Sequence, residues 1–153
     1  AGRSIHPGRV VVQTFQPHSP VLKYLQGSSP MDSYGQFLQE EMLKRESLMY
    51  APYASLCLIR FDGQDLEKVQ QAASVVKNGL SKLPKDVLQI LGPCASPISK
   101  IALRYRHQIL LKSTSAKQLH TALGWLDQTW NEKKLEQTYK TRMLIDVDPV
   151  NML

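Results

Sequence analysis

Cysteine is scarce in this 153-residue chain: Cys57 and Cys94 are the only two, with no paired spacing for a zinc site or a thiol redox motif. Cys57 lies inside an apolar run and reads as a small core residue, so reduced thiols in a cytoplasmic protein are the economical expectation. No apolar run approaches the roughly 20 residues of a membrane span. The opening AGRSIHPGR has no signal-peptide core and no initiator methionine, which suggests a fragment. His6, His18, His107 and His120 are scattered without ligand spacing. No phosphate loop, metal cluster or nucleophile–base pair can be assembled, so no catalysis is expected from these residues alone.

What is present is a core and an uneven charge. Hydrophobic residues make up 42%, enough for one domain, or one small domain with an appendage. The formal net charge is +6, and its distribution matters more than its size. Residues 1–95 carry 10 Lys/Arg against 8 Asp/Glu, whereas residues 96–143 carry 9 against 3. A field concentrated in this way suits a phosphate-bearing partner, although many soluble domains are equally basic.

Along the chain, Gly8 to Phe15 is a β-branched run that predicts a buried strand. Ser19-Pro20 opens a short helix over 21–26, with Gly27 as its stop. Asp32 or Ser33 can cap a helix running to about Ser47, with Glu41 and Arg45 spaced to pair on one face. Tyr50-Ala51-Pro52-Tyr53 breaks the pattern and marks the boundary between residues 1–50 and 51–153. Beyond it, Leu56 to Phe61 reads as a strand and Asp62-Gly63 as a turn. Leu66, Val69, Ala73, Val76, Leu80 and Leu83 then mark one face of a helix. Val87 to Leu91 reads as a second strand, followed by a Gly/Ser/Pro loop.

From Ile101 to Lys112 side chains alternate, with Tyr105, His107, Ile109 and Leu111 on the apolar side and Arg104, Arg106 and Lys112 on the other. Ser115 to Gln118 fits a capping box ahead of a helix striped by Leu119, Ala122, Leu123, Leu126 and Trp130. Met143 to Val147 supplies a last strand. Strand-helix-strand twice over predicts an α+β fold: a split βαβ, ferredoxin-like sandwich of four strands with two helices on one face. The other face is then open to nucleic acid.

Arg104, Arg106 and Lys112 share that face, and alternate positions stand about 6–7 Å apart, comparable to phosphates along a strand. Lys100, just before them, extends the set. Tyr105 turns inward, which weakens it as a stacking platform. Trp125 lies off its helix stripe and reads either as a partner anchor or as packing at the helix edge. Asp146 and Asp148 fit a solvated strand end better than an acid pair.

These motifs also resemble a known family. LGPCASPISKIALRYRHQILLK, the closing LIDVDPVNML and QEEMLKRESLMYAPYASL are similar to segments of the C-terminal domain of primosomal protein N′, the PriA-type replication restart helicases. AGRS resembles the tail of helicase motif VI, and PGRVVVQTFQPHSPV the last strand and helix of the second helicase lobe. The resemblance implies a ribosomal-protein-like fold after a remnant of that lobe, within an ATP-dependent 3′-to-5′ DNA helicase that acts at stalled forks. It implies ATP, magnesium and zinc for the parent, and none of them for these residues. Its implied partners are forked or single-stranded DNA, single-stranded-DNA-binding protein, and primosome and helicase-loading proteins, in a bacterial cytoplasm and nucleoid without membrane contact.

By the same resemblance Arg3 is a motif VI arginine facing ATP, and the pair Arg104 and Arg106 contacts DNA. The acidic-tail dock falls at the start of the second helix. There Ala116 stands where a basic residue is common and His120 where a glutamine occurs, with Lys117 as the substitute. Trp125 joins Lys117 and His120 in the partner-binding set only through its place off the helix stripe. Ala51, Cys94 and His107 also depart from the family pattern. A module that binds acidic peptides instead of DNA is the alternative.

Overall fold

The computed structural model describes residues 10–26, 30–84 and 88–151. Arg3, Gly8, Arg9, Gly27 and Val87 lie outside the described residues. The chain divides into two compact units, Ala1–Lys44 and Arg45–Leu153.

The first unit holds helix α1 (Pro20–Lys23), continued by a tighter turn over Tyr24–Gln26. Helix α2 (Pro30–Ser47) begins in this unit, ahead of the expected caps at Asp32 and Ser33. The buried strand expected over Gly8–Phe15 is not found among its described residues. Val10, Val11, Val12 and Phe15 are exposed and unpaired, because β-branched residues favour a strand only where a neighbouring strand accepts their backbone.

The second unit contains strands β1 (Ser55–Gly63), β2 (Gln89–Ile101), β3 (Arg104–Ser113) and β4 (Thr141–Val147) in one sheet, ordered β2-β3-β1-β4 and antiparallel throughout. Helices α3 (Leu66–Leu80), α4 (Ala116–Glu132) and the short α5 (Leu135–Tyr139) join them. The α+β split βαβ arrangement read from the sequence is therefore the observed one.

Period-two alternation builds the sheet side of the core from Cys57, Ile59, Phe61, Ile109 and Leu111. Period-3.6 stripes supply the other side: Val69, Ala72, Ala73, Val76 and Leu80 from α3, and Leu119, Ala122, Leu123, Leu126 and Trp130 from α4. Asp65 caps α3 by accepting from the backbone N–H of Glu67 and Lys68 at 3.0 and 3.2 Å. Ser115 Oγ accepts from Gln118 N at 3.4 Å, but only this half of the expected capping box forms. The Ser115 N–H goes to Ser113 Oγ instead, at 3.2 Å.

Three local expectations are corrected. Asp62 and Gly63 are not a turn; they extend β1, opposite Arg106 and Tyr105 on β3 and Arg142 and Thr141 on β4. Gly63 is there for close approach, since a Cβ would stand 2.9 Å from Val69 Cγ2 and 3.2 Å from the Lys140 carbonyl. The Gly/Ser/Pro stretch after Leu91 is not a free loop but continues β2 with register shifts at Leu91/Cys94 and Ala95/Lys100. The alternating strand starts at Arg104 rather than Ile101, because Ala102 and Leu103 form a two-residue turn with φ of 47° and 62°. Such a turn joins β2 to β3 as a hairpin closed by Ile101 and Arg104.

Candidate nucleic-acid interface

The face away from the helices carries Leu56, Leu58, Arg60 and Asp62 from β1 and Arg104, Arg106, Gln108, Leu110 and Lys112 from β3. Its two ends differ. At the Lys112 end Leu58 and Leu56 are fully or nearly buried, so that end is covered. Lys112 Nζ donates to the Leu48 carbonyl at 2.9 Å and stands 3.7 Å from the centre of the Tyr50 ring. The segment between α2 and β1 therefore lies over this part of the face, and Arg45 helps fix it by donating to the Ala51 carbonyl at 3.3 Å. Lys112 is only 6% exposed, which corrects the expectation that it presents its ammonium to phosphate.

The other end is open and cationic. Asp62 is its centre, with Arg104 Nε at 2.6 Å from Oδ2 and Arg142 Nε at 3.1 Å from Oδ1. Arg104 also donates from Nη2 to the Asp62 backbone carbonyl at 3.0 Å. Two guanidinium groups share one carboxylate, so this trio keeps a net positive charge. Each guanidinium has further N–H groups beyond the one on Nε. Arg106, directly across the ladder from Asp62, makes no ion pair among the described residues. A cleft of about 580 Å³ beside the trio is lined by Asp62, Arg104, Glu136, Lys140, Thr141 and Arg142.

Burial by itself would raise the Asp62 carboxyl, but the hydrogen bonds and charges of Arg104 and Arg142 outweigh it and hold the group below its ordinary value. On the helix side of β3, His107 is 9% exposed, its Nδ1 is buried without a hydrogen-bond partner, and burial lowers its pKa. Both folded-state values lie below the unfolded ones, so both contributions are complete above the unfolded pKa and fall away as pH drops. For His107 the loss starts below about pH 6.5, and for Asp62 it follows in the acid range. A urea midpoint measured against pH is expected to hold near pH 7–8 and to fall below about pH 6.5. His107→Phe is expected to remove that first fall, and a midpoint that stays flat through pH 5.5 in the unsubstituted chain contradicts this view of His107.

The remaining expected residues fall elsewhere. Lys100 stands on the hairpin, its Nζ 4.5 Å from the centre of the Tyr105 ring and 3.3 Å from the Tyr105 hydroxyl. Lys117 and His120 are exposed on the first turns of α4, away from the arginine end of the sheet. Trp125 is 38% exposed and leans on α3, where a Cβ at Gly79 would stand 2.6 Å from Cη2 of its ring. Its ring is thus largely engaged in joining the two helices. Asp148 holds the end of β4 to the start of β1, accepting from Leu56 N at 2.9 Å through Oδ1 and donating from its own N–H to the Leu56 carbonyl at 2.8 Å. Asp146 lies 3.7 Å from Arg60.

Sequence reasoning missed Asp62 and Arg142. The Asp-Gly pair imitated a turn, and Arg142 lay outside the alternating segment. No group of three or more His, Cys, Asp or Glu that could hold a metal occurs among the described residues. No helix among them is long and apolar enough to cross a membrane.

Residues 46–150 match the family model described as the primosomal protein N C-terminal domain. A replication restart protein PriA from Synechocystis is 41% identical over 99% of this chain and 17% of its own length. The Bacillus subtilis protein of that name is 31% identical over 100% and 18%, and the Haemophilus influenzae one 30% over 99% and 20%. The chain thus spans about a fifth or less of the length of these relatives. With that match across the whole sheet and its helices, the chain belongs to the family of the primosomal protein N C-terminal domain, found in the replication restart proteins PriA.

Proposed function

We propose that this domain supplies part of the DNA grip of an ATP-dependent 3′-to-5′ helicase acting in replication restart. The observation that carries the reading is the unshared positive charge at one end of the sheet. Arg104 and Arg142 divide a single carboxylate, and Arg106 beside them has no ion pair among the described residues. Arginine N–H groups spaced along a ladder suit successive phosphates, which give affinity without reading sequence. The names of the relatives support the setting, replication restart.

In that reading residues 1–50 close a second helicase lobe, with Arg3 facing ATP, and residues 51–153 form the DNA-binding and interaction domain. ATP, magnesium and zinc would be held by other parts of such a helicase. Lys117 and His120, exposed on α4, offer a dock for the acidic tail of single-stranded-DNA-binding protein. Primosome and helicase-loading proteins would assemble around the same domain, in the cytoplasm at the nucleoid.

The test is a competition. Labelled single-stranded and forked DNA are titrated with the chain, and an acidic peptide is then added. DNA binding that survives saturating peptide is expected, because the arginines and α4 lie apart. Peptide binding with no DNA binding would replace this reading with a protein-interaction module.

A further inference from the structure

The tip of the β2–β3 hairpin has a chemistry that turning the chain does not require. Leu103 is 77% exposed, and on β2 Ile101, which closes the turn, is 47% and Ile98 49% exposed. Ala102 and Leu103 both have positive φ, 47° and 62°, where glycine or asparagine would sit without strain. A leucine held at such a position, pointing at water, gains nothing from the fold, and strained residues of this kind cluster at functional sites. The register shift from Ala95 opposite His107 to Lys100 opposite Tyr105 bends the hairpin just behind its tip. A collar of cations lies next to the apolar tip along the chain: Lys100, whose Nζ sits over the Tyr105 ring, Arg104 immediately after the turn, bonded to Asp62, and Arg106 two residues on.

We propose that Leu103, backed by Ile101, is a wedge that enters the base stack of duplex DNA at a junction or end. Lys100, Arg104 and Arg106 hold the flanking phosphates. Apolar wedges between base steps, seated by basic side chains on the backbone, are a known way to bend or part a duplex. The cationic collar favours a polyanion as the occupant over an apolar protein groove. The inference rests on the DNA reading above and adds to it a preference for unstacked steps.

The test uses a forked duplex with 2-aminopurine at the junction, whose fluorescence rises when its base unstacks. Leu103→Asn keeps the turn, since asparagine tolerates positive φ, and removes the apolar side chain. The unsubstituted chain is expected to raise the fluorescence. Leu103→Asn is expected to abolish that rise and to weaken fork binding about tenfold while leaving single-strand binding within twofold. Fork binding with no rise, or an equal rise with Leu103→Asn, overturns the wedge and leaves the DNA reading standing. Absence of any DNA binding overturns both. Loss of acidic-peptide binding in Leu103→Asn, with DNA binding intact, overturns the wedge by making the tip a protein contact.

Discussion

Arg104→Ala combined with Arg106→Ala is expected to weaken single-stranded DNA binding about 30- to 160-fold near 0.1 M salt, as two charge-assisted contacts of roughly 1–1.5 kcal/mol each are lost. The two substitutions should differ in their side effects. Arg106 has no ion pair among the described residues, so its loss should leave stability unchanged. Arg104 holds Asp62 through its side chain and its backbone carbonyl, so its loss also loosens β1. Arg142→Ala should resemble Arg104→Ala in kind. Lys112→Met is the control, because Lys112 is spent on Leu48 and Tyr50 and its loss should leave DNA binding within twofold. Anisotropy titration of labelled oligonucleotide with each variant reads these differences. A double variant that binds like the unsubstituted chain removes the arginines from the interface.

Phe61→Ala is expected to cost about 3–5 kcal/mol of stability, the usual cost of truncating a fully buried aromatic side chain. Phe61 is 0% exposed and its ring lies 6.0 Å from that of Trp130, tilted by 51°. It therefore ties β1 to α4 at the centre of the core. It is also the residue before Asp62, so loosening it should disturb the carboxylate that spaces Arg104 and Arg142. Urea unfolding followed by circular dichroism gives the loss directly. A cost under 1 kcal/mol would mean that β1 is not the central strand of the core.

What the sequence disclosed follows the range of each interaction. Helices α3 and α4 and the burial of His107, Ile109 and Leu111 were legible, because one periodic face dictates each of them. The carboxylate at the heart of the interface was not. Asp62 meets arginines 42 and 80 residues away, and Asp-Gly on local grounds alone resembles a turn. Lys112 looked free because alternation cannot show that a non-periodic segment, 48–54, crosses its face. The hairpin turn was hidden for the opposite reason: Ala102 and Leu103 carry no glycine or asparagine to announce it. Each miss is a long-range contact or a broken local rule, and all but Lys112 fall at the arginine end of the sheet.

The most direct test of that end is the salt dependence of DNA affinity. For a single strand bound through Arg104, Arg106 and Arg142, log K against log salt should fall with a slope of about −2, from roughly 0.7 per phosphate contacted. With all three arginines replaced by alanine the slope should approach zero. A slope near zero for the unsubstituted chain, or one that persists in the triple variant, would contradict a DNA grip at this end of the sheet.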